Sequence, residues 1–335
     1  MSSKPFPAPI SGTLQLYRRT PIALPYFDTN ASLPHSLVFV PGLRDTMGTL
    51  PYLPALSRVA GEHGFSLVLP QLSSNMGGYG QCTLEGDAQE MASCVAHLRQ
   101  QGKSGKMVLM GHSTGCQDAI AYLLGAERAR GEATRVDGAI LQAPVSDREW
   151  YESQRDVVSA AEWDKMEAEL EHATNLVRSG QGSKLLPRQE VVLPTQPGDA
   201  GEGNAAAMQD PAMTAYRLWS LRAKGGDDDF FSLDLSDEDI TAKDEGARGF
   251  GRAVANLQAA ALTAKILALI GDQDDSLPEG NADRLLERWT RLLGPTGGFE
   301  AKILQGANHQ ASSDEATAAL AEAVSAFLAP LGTQS

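Results

Sequence analysis

The chain has 335 residues, enough to bury one large core or a core with an inserted subdomain. Apolar residues make up 42% of it and the formal net charge is −14. That composition excludes a disordered chain, and an acidic balance without any Lys/Arg-rich run argues against a nucleic-acid partner. Cys82, Cys94 and Cys116 form no C-x-x-C pair and are read as reduced thiols of a cytoplasmic protein. The first residues lack the apolar segment of a signal peptide, and no apolar run reaches the length of a membrane span.

In chain order, Thr13–Tyr17 and Ala23–Phe27 read as two short strands, an antiparallel edge. Ser36–Val40 is a continuous apolar run of the kind buried in parallel sheets. A helix is expected over about Tyr52–His63, a strand at Phe65–Leu69, and a helix over Leu84–Gln100. That second helix repeats Met91, Cys94, Val95 and Leu98 at helical spacing and carries acidic residues in its first turns, as the helix dipole prefers. Val108-Leu109-Met110 then runs into Gly111-His112-Ser113-Thr114-Gly115, and helical spacing resumes from Asp118 to Leu124. Gly138–Gln142 is the next strand. Strands alternating with helices imply right-handed βαβ units and a parallel sheet.

The rhythm breaks after Ala143-Pro144-Val145. Trp163, Met166, Leu170, Ala173 and Val177 mark an amphipathic helix that stops near Gly180, followed by a Gly/Pro/Gln-rich loop to about Ala206. Asp210-Pro211 reads as the N-cap and first position of a helix carrying Tyr216, Leu218, Trp219 and Leu221. Alternation returns with a strand at Lys265–Ile270, a helix over Asn281–Leu293, a strand at Glu300–Leu304 and a helix over about Ser313–Leu328. The expected organisation is an α/β core of residues 1–145 and 263–335, with 146–262 inserted as a helical cap over the site. A plain second domain is the alternative.

A strand, a tight Gly-x-Ser-x-Gly turn and a helix are the context of a nucleophile elbow, which makes Ser113 the candidate nucleophile. A serine hydroxyl needs a base, and the base an orienting acid, in the chain order serine, acid, histidine. Of six histidines only His172 and His309 follow Ser113. His172 falls within the proposed cap helix, where a solvated position is expected. His309 falls in the loop after the last strand, where the base belongs. The acid is sought in Gly271-Asp272-Gln273-Asp274-Asp275, at the carboxyl end of a strand; Asp274 is preferred, with Asp272 and Asp275 open. Two backbone donors, the N–H groups of Thr114 and Leu43, are expected to form an oxyanion hole. The sequence holds no metal-binding His/Cys cluster and no phosphate-binding loop, so no metal and no cofactor is expected. The acidic stretches at 227–229 and 234–239 lack the pattern of a calcium loop.

Three stretches carry a family resemblance: Gly111–Asp118, Leu141–Glu149 and Gly226–Ser232. Through them the chain resembles a group of α/β-hydrolases of fungi and plants that includes fungal siderophore (fusarinine) esterases, over about Ser36 to Leu328. The resemblance implies an α/β-hydrolase fold and a triad of Ser113, an acid-loop aspartate and His309. It departs from the family in the acid loop, Asp274-Asp275-Ser276-Leu277-Pro278, where members tend to carry a Val and an aromatic, and in the loop from Gly180 to Ala206. The implied reaction is hydrolysis of a small-molecule ester, in the siderophore case one joining hydroxamate units, which would release iron. Asp227, Asp228 and Asp229 are then expected to attract a cationic, amine-bearing substrate. A peptidase, lipase or lactonase on the same machinery, or a non-catalytic binding protein, are the competing expectations.

Overall fold

Strands that are apolar at every position need cover on both faces, and the central strands of this protein have it. The computed structural model describes residues 8–187, 210–278 and 280–332. Its first elements are β1 (Thr13–Arg18), β2 (Leu24–Asp28), β3 (His35–Val40), α1 (Leu53–Glu62), β4 (Phe65–Pro70) and α2 (Leu84–Gln100). β5 (Met107–His112), α3 (Gly115–Leu124), the short α4 (Ala126–Arg130) and β6 (Gly138–Gln142) follow. Between β6 and the next strand lie α5 (Asp147–Ser153), α6 (Ala160–Arg178), α7 (Ala215–Arg222), α8 (Asp237–Thr241) and α9 (Phe250–Ala260). The order then closes with β7 (Ile266–Gly271), α10 (Asn281–Leu293), β8 (Phe299–Leu304) and α11 (Asp314–Gly332).

The sheet has eight strands in the order β1-β2-β4-β3-β5-β6-β7-β8. β1 pairs antiparallel with β2, and β2 antiparallel with β4; the pairs from β4 to β8 are parallel. Every residue of β3, β4, β5, β6 and β7 is buried. One face packs against α2, α3, α9 and α10, the other against α1 and α11. In a parallel sheet all these strands end on the same side, so the loops after β3, β5, β6, β7 and β8 converge there, around the middle strand β5.

The segment from 146 to 262 is not uniform. α6 and α7 pack together over Tyr79, Ala173, Leu176, Leu186, Met213 and Leu218, a cluster separate from the main cores. Phe230, Phe231 and Phe250 instead join Trp289 and Phe299 in the core above the sheet, with Phe250 and Trp289 edge to face at 5.1 Å. Such an aromatic pair adds about 0.5–1.5 kcal/mol beyond the area it buries. The later part of the segment, through α9, is therefore anchored in the sheet's own core. α5, α8 and α9 are helices to which the sequence reading assigned no element.

α7 also begins later than Asp210-Pro211 suggests. Its N-cap is Thr214, whose hydroxyl accepts the Arg217 N–H at 3.2 Å. Residues 185–186 pair with 213–214 just before it, through Leu185 opposite Thr214 and the Leu186 N–H on the Met213 carbonyl at 2.9 Å. That pairing holds the chain extended, and Asp210 is turned inward instead. The Gly/Pro/Gln-rich loop expected to reach Ala206 lies, from residue 188 onward, outside the described residues. Among the described residues no helix is long and apolar enough to cross a membrane.

Candidate active site

β5 delivers Ser113 at its carboxyl end. Ser113 has φ +51, in the left-handed region that non-glycine residues rarely occupy, at a cost of order 1–3 kcal/mol. The neighbouring glycines make the turn possible. A Cβ on Gly111 would lie 2.2 Å from the Gly115 carbonyl oxygen, and one on Gly115 would lie 2.3 Å from that of Val40. α3 starts immediately afterwards with Thr114 as its N-cap, so its unpaired N–H groups lie beneath the serine. Cys116, one turn on, is fully buried and its thiol is pushed well up by that burial, which keeps it protonated and inert.

The loops after β7 and β8 bring the other two side chains. The Asp272 N–H donates to the Leu304 carbonyl at 3.2 Å and the Gln273 N–H to that of Ala307 at 3.0 Å. Asp272 accepts the Gly306 N–H at 2.7 Å, so it serves the turn. Asp275 is exposed. Asp274 is 6% exposed, and its carboxylate faces His309 Nδ1 at 3.0 and 3.1 Å. Nδ1 is therefore the donor, which leaves Nε2 to accept the Ser113 hydroxyl at 2.9 Å. Burial tends to raise the Asp274 carboxyl, but His309, its hydrogen bond and the Ser276 N–H at 2.9 Å outweigh it and hold the group below its ordinary value. The structure thus brings Ser113, His309 and Asp274 into one hydrogen-bonded chain. His172 is exposed on α6.

The loop after β3 passes against the serine: a Cβ on Gly42 would lie 2.9 Å from that of Ser113. This close approach sets Leu43 beside the elbow, opposite the start of α3. Leu43 packs on the α6–α7 cluster, and Arg44, with φ +69, donates to Asp210 at 2.5 Å and to the Tyr79 hydroxyl at 3.2 Å. Asp210 also accepts the Tyr79 and Tyr151 hydroxyls at 2.7 and 3.2 Å. The loop after β3 and the inserted helices are therefore tied together directly.

Asp227, Asp228 and Asp229 are not presented as unpaired carboxylates. Asp227 pairs with Arg248 at 2.8 Å and Asp229 with Arg148 at 3.2 Å. Asp228 is buried and pairs with the buried Arg217 at 2.7 Å. Each of the three thus has an arginine partner, as a carboxylate drawn out of water needs, and arginines of α5 and α7 supply two of the pairs. Sequence reasoning also passed over Asp147, which accepts from Gln117 Nε2 at 2.7 Å and from the Thr114 hydroxyl at 3.3 Å, directly below the elbow. Burial first, then the nearby Asp228, pushes its carboxyl up to about 7. Nothing in local spacing distinguishes it from the helix-capping acids around it.

A mostly parallel eight-stranded sheet, helices on both faces and a serine on a strand-to-helix turn define an α/β-hydrolase fold. The family model described as "Protein of unknown function (DUF1749)" matches residues 1–329, and the chain belongs to that family. It is 30% identical, over 91% of either chain, to the fusarinine C esterase sidJ of Aspergillus fumigatus. It is likewise 30% identical to the esterase AN6793 of Emericella nidulans, over 69% of this chain and 68% of that one. Among solved structures it resembles the siderophore hydrolase EstB of Aspergillus fumigatus, with a TM-score of 0.74 and 28% identity over 98% and 99% of the two chains. Its homologues are carboxylic ester hydrolases.

Proposed function

We propose that this protein is a serine esterase in which Ser113 is the nucleophile, His309 the general base and acid, and Asp274 the residue that orients His309. The observation that carries the reading is the unbroken chain from the Ser113 hydroxyl to His309 Nε2 at 2.9 Å, and from Nδ1 to Asp274 at 3.0 Å. As Ser113 Oγ adds to the ester carbonyl, its proton passes to Nε2, and Asp274 stabilises the imidazolium. The oxyanion is met by the N–H groups of Thr114 and Leu43, each such donor contributing roughly 3–4 kcal/mol. Collapse breaks the ester C–O bond, the leaving alcohol takes the proton from Nε2, and an acyl-enzyme remains. Water then adds to the acyl carbon with its proton going to Nε2, and the serine departs with that proton restored.

The substrate class we propose is an ester joining hydroxamate units of a siderophore of fusarinine type, whose cleavage would weaken iron chelation. Kinship at 30% identity with a fusarinine C esterase supports it. The three cysteines, all free, support a cytoplasmic setting, which fractionation of cells would test. A fluorophosphonate probe tests the chemistry: the wild type is expected to label, and Ser113→Ala to lose labelling and ester hydrolysis together. Hydrolysis that survives Ser113→Ala would overturn the reading. Comparing short acyl esters with fusarinine-type esters tests the substrate, and a kcat/KM that favours the simple esters would remove the siderophore assignment.

A further inference from the structure

In the distinctive stretch Leu141–Glu149, the side chain of Gln142, like that of Asp147, lies at the site without a part in the chemistry above. Gln142 ends β6 and is 1% exposed. Its main-chain carbonyl accepts the Ser113 N–H at 3.0 Å. Its side-chain Nε2 donates to the main-chain carbonyl of His309 at 3.0 Å. Oε1 accepts the Tyr52 hydroxyl at 2.9 Å and is hydrogen-bonded to His112 Nδ1. Chemistry fixes this orientation: a carbonyl can only accept, so the amide NH2 must face His309, and Oε1 must face donors. His112 therefore carries its proton on Nδ1. Burial first, then the neighbouring His309, holds its pKa down at about 3, so its ring, 5.1 Å from that of His309, is a neutral neighbour.

We infer that Gln142 is a positioning residue that references nucleophile and base to the same point. Ser113 hangs on its main chain, the backbone of His309 hangs on its side chain, and Asp274 fixes only the imidazole ring. His309 sits in a loop, whereas β6 is a central strand buried on both faces, so the amide transfers the rigidity of the sheet to the loop. A misplacement of about 1 Å between reacting groups costs on the order of 100-fold in rate, which is the scale of effect this contact guards against. The inference rests on His309 acting as the base.

The decisive variant is Gln142→Glu, equal in shape and different in donor. Protonated, the introduced carboxyl still donates to the His309 carbonyl while its other oxygen accepts from Tyr52 and His112. Ionised, it has no donor to offer. The titratable groups around position 142 are His112, His309, Tyr52 and Cys116, with Asp274 behind His309, and the ratio of variant to wild-type kcat compares enzymes that share them. That ratio is expected to be low at alkaline pH, by about 10- to 100-fold, and to rise as pH falls, with KM little changed. Gln142→Met, similar in length and without a donor, is expected to be low at every pH. A Gln142→Glu ratio that is flat with pH, or a Gln142→Met kcat within about twofold of wild type, would overturn the assignment. Thermal transitions report folding. If neither variant folds, Tyr52→Phe carries the test: it loosens the amide from the far side and should lower kcat several-fold, and an unchanged kcat would equally overturn it. Because survival of hydrolysis in Ser113→Ala is scored separately, failure of the catalytic reading is distinguishable from failure of this one.

Discussion

The strand ends of the sheet and the inserted segment solve opposite problems. At the strand ends, buried β-strands and close glycine contacts place three side chains with little help from charge. In the insertion, buried charge adds to the apolar packing of α6 on α7 and of Phe230, Phe231 and Phe250 on the core. Arg217 of α7, 3% exposed, sits among Asp228, Asp87 and Asp118, the last two from α2 and α3 of the core. Arg148 of α5 pairs with Asp229 and Asp234, and Arg44 of the loop after β3 with Asp210. Hydrophobic packing places the strand ends, whereas buried ion pairs join apolar packing in tying α5 and α7 to their surroundings. The difference matters because a buried ion pair adds little net stability when intact yet costs several kcal/mol when one partner is lost.

Substitutions on the two sides should therefore fail in different ways. The largest effect belongs to the site. Asp274→Asn should lower kcat by about four orders of magnitude, because an amide cannot hold His309 in the Nδ1–H tautomer. Steady-state kinetics checks this, and a loss below tenfold would move the acid elsewhere in the loop. Next, Arg217→Met should cost about 3–5 kcal/mol of stability, seen in urea or thermal unfolding, since Asp228 loses its partner. That loss should shrink at low pH, where Asp87, pushed up to about 7 by burial against the pull of Arg217, becomes neutral. A pH-independent loss would mean that packing, not charge, attaches α7.

The smallest effect separates the regions where they meet, at Asp147. Its carboxyl is raised to about 7, above the unfolded value near 4, so its contribution is present below about pH 4 and is lost as pH rises through 7. Asp147→Asn should thus raise the melting temperature relative to wild type above pH 7 and do so less at pH 5. His112 runs the other way: with a folded value of about 3, its contribution is complete above the unfolded pKa near 6.5 and falls away as pH drops below it. A stability maximum between these limits is the expected wild-type profile, and unfolding followed across pH checks it.

Much of this was legible one-dimensionally. Strand runs such as Phe65–Leu69 and Val108–Met110 name themselves because a parallel sheet buries both faces. Gly111 and Gly115 around Ser113 announce a turn that needs them, and few histidines left little choice of base. The acid was narrowed only to a loop. Asp272, Asp274 and Asp275 are chemically alike, and which one meets His309 depends on how the loops after β7 and β8 hydrogen-bond across the sheet end. The same limit hid the true start of α7, where pairing of residues 185–186 with 213–214 overrides an Asp-Pro signal.

What the sequence determined by itself, then, is the order of strands and helices, the elbow at Ser113 and the loop that holds His309, since these follow from local periodicity and backbone sterics. Only the tertiary structure decided the partners of the buried charges. Asp227–Asp229 read as a free acidic run until Arg248, Arg217 and Arg148 were brought to them, and Gln142 read as the last residue of a strand until its amide met His309. The physical reason is common to both cases: the energy of a buried polar group is set by what faces it across the fold, over separations that sequence spacing does not encode.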